Sequence, residues 1–277
     1  MYLRVMSKRN IFTIIMKLSI VNAPSSVEDQ INGTPNLALR DIHLTINSGE
    51  KVAICGRTGS GKSSLVALLL KLLDPLAETA ENVVIDNIPL HRINRPTLRQ
   101  RIIAIPQEAV FLPDGSTFQT NLDPLDISTS EECQAVLAAV NLWQFVHERG
   151  GLDAGMSTGT LSAGQRQLMS FGRALLRRRL RARNLGIGGG GSEAGILLLD
   201  EVSSNVDHET ERVMQEIIKA EFRDYTVVAV SHRLDMIMDF DKVVVMDKGE
   251  IVEIGNPMVL AREEGTRFGE LVKAGAK

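Results

Sequence analysis

Residues 51–64, Lys51-Val52-Ala53-Ile54-Cys55-Gly56-Arg57-Thr58-Gly59-Ser60-Gly61-Lys62-Ser63-Ser64, decide the fold. A short β-rich run, 51–55, leads into a stretch that fits G-x-x-x-x-G-K-[ST], and an apolar run over 64–73 with helical character follows. Glycines in such a loop let consecutive N–H groups turn inward around phosphate oxygens, and a side chain there would block the approach. The phosphates then sit at the N-terminus of the following helix, whose dipole favours negative charge. Lys62 reaches the outer phosphates and the Ser63 hydroxyl binds magnesium. The alternative is a chance glycine-rich turn, against which the strand before it and the helix after it both count.

Working outward, Leu39, Ile42, Leu44 and Ile46 alternate as in a strand that ends at the Ser48-Gly49 turn. Strands are expected at 83–85 and 102–105, the second running into Pro106-Gln107. From about 112 to 159 the texture becomes helical, with Val136, Leu137, Val140 and Phe145 forming the apolar face of a helix over 131–148. Beyond it a helix is expected over 162–177, a buried strand at 196–199, a helix over 209–222 and a strand at 226–230. Segments 242–246 and 250–254 flank Asp247-Lys248-Gly249, a hairpin signal. Strands alternating with helices predict an α/β fold: a P-loop NTPase core with a mostly parallel sheet, joined by an antiparallel β subdomain and an inserted α-helical subdomain.

Two further stretches carry chemistry. Asp200 closes the run Ile196-Leu197-Leu198-Leu199, so its carboxylate emerges at the carboxyl end of a buried strand within reach of a magnesium shell, and Glu201 follows directly. One acid orients metal while the other polarises an attacking water; the alternative for the pair alone is a solvated turn. In Leu161-Ser162-Ala163-Gly164-Gln165, Ser162 stands at a helix start where it can cap free N–H groups, and Ala163 and Gly164 leave room for an anion. An ordinary helix cap is the plainer reading. His232, after the strand at 226–230, either hydrogen-bonds a γ-phosphate or the attacking water, or is a packed structural histidine. A phosphate loop, a metal-orienting acid and a candidate base together point to binding and hydrolysis of ATP with Mg²⁺.

Composition narrows the class. The 277 residues suffice for one large or two modest domains with a buried core, and 44% hydrophobic with 23% charged residues is ordinary for a globular protein. A net charge of −3 argues against a nucleic-acid partner. Two cysteines, Cys55 in a strand and Cys133 in a helix, are too few for a disulfide framework and fit a reducing, cytosolic setting. The apolar stretch 11–21 is short and broken by Lys17, so it does not cross a bilayer. A signal peptide and an edge strand are its two readings, the first without a clean cleavage site. The arginines from Arg177 onward run into Gly186-Ile187-Gly188-Gly189-Gly190-Gly191-Ser192, read as a solvated helix end followed by a flexible surface insertion.

At this point the chain resembles the nucleotide-binding domain of ABC transporters over residues 36–275, preceded by a poorly defined segment, 1–35. Gly56, Arg57, Thr58, Gly59, Ser60, Gly61, Lys62, Ser63 and Ser64 resemble its Walker A loop, Gln107 its Q-loop glutamine, and Leu161, Ser162, Ala163, Gly164 and Gln165 its signature motif. The run 196–200 resembles Walker B, Glu201 the catalytic glutamate, Ser203 to Asp207 the D-loop, and His232 the switch histidine. Gly56-Arg57-Thr58-Gly59, Asn121-Leu122-Asp123-Pro124, Gly164-Gln165-Arg166-Gln167-Leu168 and Ser204-Asn205-Val206-Asp207 are similar to the second nucleotide domain of multidrug-resistance-associated, subfamily C exporters.

The resemblance implies catalysis by Glu201, His232, Lys62 and Gln107, and magnesium held by Ser63, Gln107 and Asp200. It implies a head-to-tail dimer, with itself or another nucleotide-binding domain, in which Ser162 and Gly164 of one domain contact the γ-phosphate held by Lys62 of the other. A helical subdomain, about 110–178, then docks on transmembrane domains of a transporter at the cytoplasmic face of a membrane. Three departures stand out: no Phe, Tyr or Trp lies between Phe12 and Phe111 to stack on adenine near Ile31, a loss of about 1 kcal/mol; residues 179–195 form an Arg/Gly-rich insertion; and the membrane helices expected before the domain are missing. A soluble ABC switch protein would carry a second domain or sustained heptads, and a remnant with weak ATP binding is the other alternative.

Overall fold

The computed structural model describes residues 14–21, 37–184, 194–204 and 206–275. In chain order its strands and longer helices begin with β1 (Ile14–Val21), β2 (Leu37–Ile46), β3 (Lys51–Gly56), α1 (Lys62–Leu69), β4 (Val83–Ile85), β5 (Ile88–Pro89), α2 (Arg95–Arg101) and β6 (Ile102–Ile105). Next come α3 (Phe118–Leu122), α4 (Ser130–Ala139), α5 (Trp143–His147), α6 (Ala163–Asn184), β7 (Ile196–Asp200) and α7 (His208–Glu221). β8 (Thr226–Val230), β9 (Lys242–Asp247), β10 (Glu250–Gly255), α8 (Pro257–Leu260) and α9 (Arg267–Gly275) complete the chain. The residues group into two compact units, and β6 carries the chain from the first, which ends its opening segment at Ile102, into the second.

The first unit adds Ala194–Asp200 and everything from Tyr225 onward to that opening segment. Its larger sheet contains β10-β9-β3-β8-β7 in that order. β3 lies parallel to both β8 and β9, β8 lies parallel to β7, and only β10 runs antiparallel, on β9. Parallel strands buried on both faces read as unbroken apolar runs, and Val52, Ala53, Ile54, Val227, Val228, Val243 and Val244 are all fully buried. The β9–β10 turn places Lys248 at φ 47° and Gly249 at φ 84°, the two positive angles that a tight hairpin demands. A second, wholly antiparallel sheet runs β2-β1-β4-β5. The mixed α/β architecture, with a mostly parallel sheet and a small antiparallel one, is the one expected from the sequence.

Ile14–Val21 departs from its expected place at an edge: it pairs with β2 from Ile14↔Ile46 to Val21↔Leu37, and on its other side with β4 from Ile14↔Ile85 to Met16↔Val83. Nothing local distinguishes an inner strand from an edge one when its partners lie dozens of residues away.

The second unit takes Ile103 to Asn184 and Glu201–Asp224 among the described residues. Phe118, Val136, Leu137, Val140, Leu168, Phe171 and Leu175 form its buried interior. The single helix expected over 131–148 is two, α4 and α5, parted at Asn141, which takes φ 57°. Thr129 and Glu132 close a reciprocal capping box that sets the start of α4. α6 outruns the expected 162–177 and continues through Asn184. The arginine run is therefore not simply a solvated end: Arg178 and Arg179 both pair with Glu221 of α7, at 2.7 and 2.8 Å, and Arg183 pairs with Glu132 of α4 at 2.8 Å. Those pairs also explain why α7, expected in the α/β core, packs with the helical unit. The glycine-rich stretch 186–192, the position near Ile31 and Asn205 lie outside the described residues. Among the described residues no helix is long and apolar enough to cross a membrane.

Candidate functional site

In the first unit the phosphate loop leaves β3, an inner strand of the parallel set between β9 and β8, and enters α1 at Lys62. Gly56 sits at φ 146° with no room for a side chain: a Cβ there would stand 2.2 Å from the Met246 carbonyl oxygen. At Gly61, φ 102°, a Cβ would meet Leu39 Cδ2 at 2.8 Å and the Ala38 oxygen at 3.1 Å. These two glycines let β9 and β2 press against the loop from behind. Lys62, only 5% exposed, folds its Nζ back to donate to the carbonyl oxygens of Gly56 at 2.9 Å and Arg57 at 3.0 Å. Ser60 is buried, and its Oγ has no hydrogen-bond partner among the described residues.

Across the sheet, Ile54 on β3 stands beside Val230 on β8, and Val230 beside Asp200 on β7. Asp200 therefore ends its strand about 10 Å, two strand spacings, from the strand that feeds the loop. His232 lies just beyond β8, exposed, after Ser231, whose N–H donates to the Ile54 oxygen at 3.2 Å and so ties this turn to β3. The loop fits a triphosphate on three counts: a cradle closed to Cβ atoms, a buried ammonium at its mouth and an unsatisfied hydroxyl. The exposed Ser63 hydroxyl and the half-buried Asp200 carboxylate are hard oxygen donors of the kind magnesium takes, with water and phosphate oxygens filling the rest of its shell. No group of three or more His, Cys, Asp or Glu that could cage a metal by itself occurs among the described residues.

Cys55, beside the loop, is inert. Burial pushes its thiol up to about 12, against a smaller downward pull from the Lys62 charge. A maleimide or iodoacetamide should leave Cys55 unmodified in the folded chain at pH 8 and label it once urea has unfolded the protein, since only the thiolate reacts. Labelling of the native chain at the rate of a free thiol would contradict the burial.

The second unit holds the remaining candidates. Ser162 caps α6: its Oγ accepts from Gln165 N at 3.1 Å, and Gln165 Oε1 accepts from Ser162 N at 2.9 Å, a complete capping box. The expectation that Gly164 leaves room for an anion needs correction on one side, because the space where its Cβ would stand is filled by Thr210, with Oγ1 at 2.6 Å. Leu161 is buried and Ala163 half-buried. Gln107 is exposed, and its carbonyl oxygen accepts from Nε2 of buried Gln167 on α6.

Glu201 opens its segment at φ 47°, a left-handed angle that costs a non-glycine residue about 1 kcal/mol or more and clusters at working sites. Its carbonyl oxygen accepts from Ser204 N at 3.2 Å and Ser204 Oγ at 3.0 Å, which hold the turn. Ser203 is buried. Asp207 is the N-cap of α7, accepting from Thr210 N at 2.9 Å and Thr210 Oγ1 at 2.8 Å. Those bonds, the backbone one foremost, hold its carboxyl below the usual carboxylate range.

Sequence reasoning missed Thr210 and Arg173, and quoted Gln167 only within a family stretch, without the bond it makes here. Arg173 donates to the backbone oxygens of Asn121 and Val110 and lies 4.8 Å over the Phe111 ring. All three are polar residues on helices whose role depends on loops far away in sequence, and no local pattern marks them.

Comparison with known proteins sets this geometry in a family. Residues 39–180 match the family model described as ABC transporter. The chain is 66% identical to the ABC-type transporter braE of Annulohypoxylon truncatum over 95% of its own length and 18% of that protein. It is 54% identical to the ABC transporter FGM5 of Gibberella zeae over 90% of its length and 16% of that one. It thus spans less than a fifth of these relatives. A solved bacterial Atm1-family ABC exporter with ATP bound superposes with a TM-score of 0.79 over 97% of this chain and 43% of its own, at 23% identity, a likeness of fold. A family model covering half of the chain, the phosphate loop and its buried lysine included, establishes that the chain belongs to the ABC transporter family and carries its ATP-binding domain.

Proposed function

We propose that the chain is the motor of an export-type transporter of subfamily C character, akin to the second nucleotide domain of such proteins, and that it binds and hydrolyses ATP with Mg²⁺ to drive transport. The observation that carries the reading is the phosphate loop itself: glycines that admit no Cβ, a buried Lys62 held at the loop's own carbonyls, and Asp200 ending a strand of the same sheet. Lys62 exchanges its bonds to the Gly56 and Arg57 oxygens for bonds to the outer phosphates, and the loop N–H groups bind the remaining oxygens. Ser63 and Asp200, with Gln107 as a further oxygen donor, would hold magnesium, which would supply charge neutralisation at the phosphates.

Glu201 polarises the attacking water as general base, and His232 hydrogen-bonds the γ-phosphate or that water. The signature residues 161–165 seal the triphosphate of a facing domain, a second copy or a different one, so that ATP binding closes a dimer and hydrolysis opens it. The D-loop, Ser203 to Asp207, lies in this reading at the same closure. The whole transporter, with its transmembrane domains, places this chain at the cytoplasmic face of a membrane.

The reading is tested by following [γ-³²P]ATP with the purified chain and Mg²⁺. Free phosphate is the expected product. Label moving to a small-molecule or protein acceptor without free phosphate would point to a P-loop kinase, and no turnover alone or with a first-domain partner would defeat the motor.

A further inference from the structure

Gly164 is the second residue of α6 and is buried. Its backbone takes no left-handed angle, so conformation alone does not call for glycine. In a helix glycine costs about 1 kcal/mol relative to alanine, so its presence here needs a reason. Thr210 supplies one: a Cβ on Gly164 would stand 2.6 Å from Thr210 Oγ1, 3.1 Å from its Cγ2 and 3.3 Å from its Cβ.

Thr210 cannot swing aside without loss. Its N–H donates to Asp207 Oδ1 at 2.9 Å, and its hydroxyl donates to Asp207 Oδ2 at 2.8 Å. The hydroxyl proton is thereby committed to the carboxylate, while the methyl and the oxygen lone pairs face Gly164. Signature turn, Thr210 and D-loop aspartate form one stacked line inside the second unit.

We propose that Thr210 is a positioning residue of the ATP cycle, which seats signature Gly164 against D-loop Asp207 of the same chain so that the two loops are presented to a facing domain as one piece. The inference rests on the motor reading for its functional consequence and on the packing alone for the seat.

Five variants of the 277-residue chain test it by ATP turnover and by urea unfolding. Gly164→Ala lowers kcat at least tenfold and lowers the unfolding midpoint. Adding Thr210→Ala, which removes the two nearest atoms, restores both to the level of Thr210→Ala alone, as expected of a directly coupled pair. Thr210→Val keeps the shape and the backbone bond and loses the hydroxyl bond to Asp207: kcat falls about tenfold with KM for ATP unchanged and the midpoint only slightly lowered, whereas Thr210→Ser stays within about twofold of the parent.

Gly164→Ala equally impaired in both backgrounds would show that the glycine serves only a facing phosphate and would overturn the seat. So would Thr210→Val with the parent's kcat. If the parent chain itself releases no phosphate, the motor reading is what fails. The unfolding cycle then still decides the seat, since a Gly164→Ala midpoint equal to the parent's, or not recovered by Thr210→Ala, overturns it.

Discussion

Lys62→Ala should reduce phosphate release about a thousandfold or more while the chain stays folded, a loss of about 4 kcal/mol in transition-state stabilisation. The side chain is nearly enclosed, and its ammonium already rests on two carbonyl oxygens of the loop, 2.9 and 3.0 Å away. On the proposed reading it meets the outer phosphates in a confined site, where one charge-assisted hydrogen bond is worth roughly 1.5–3 kcal/mol and the interaction grows as charge builds on the transferred group. Alanine removes the cation, leaving the exposed Arg57 carbonyl to water and the buried Gly56 carbonyl without this donor, so the unfolding midpoint should fall by an amount corresponding to about 1–3 kcal/mol while the fold persists. Lys62→Arg should not rescue turnover, because a planar guanidinium on a longer stem does not fit a pocket shaped for a compact ammonium. Phosphate release is the measurement, alongside circular dichroism to verify folding. Turnover within about tenfold of the parent would remove Lys62 from the chemistry.

The loop behind that prediction was legible because everything it needs is local: a strand, glycines at fixed spacing, a lysine and a helix occupy residues 51–69 without interruption. Asp200 was legible for the same reason, as the first polar residue after an apolar strand. What could not be read is non-local or conformational. β1 was expected at an edge and becomes an inner strand because β4, 67–71 residues on, pairs with its far side. α6 outlasts its apolar periodicity because Glu221 and Glu132 supply partners for its arginines. The left-handed backbone at Glu201 leaves no trace in the sequence, since glutamate does not prefer that angle, and bonds from Ser204 help to hold it there. Thr210 looks like an ordinary first-turn threonine until Gly164 is found beneath it.

Glu201→Gln should separate binding from hydrolysis more sharply than any other change: phosphate release falls about a thousandfold while ATP is still bound. The substitution keeps the shape, and the backbone turn that aims the side chain is fixed by bonds to the Glu201 carbonyl oxygen, which glutamine retains. What it loses is the ability to accept a proton from water, a contribution of 10²–10⁴ for a general base. The groups proposed to hold the phosphates, Lys62 and the loop amides, are untouched, so ATP affinity should stay within a few-fold. A state that binds ATP and does not consume it is one in which an ATP-dependent complex accumulates, because a ligand that favours the associated form drives association by mass action. Analytical ultracentrifugation with ATP and Mg²⁺ should therefore show a dimer for this variant and mostly monomer for the parent after turnover. A monomer that binds ATP tightly would mean that the facing domain is a different chain, to be found by adding candidate first domains. Unchanged hydrolysis would mean that the attacking water is activated by another group, and Glu201 would then be a strained turn residue with a structural purpose alone.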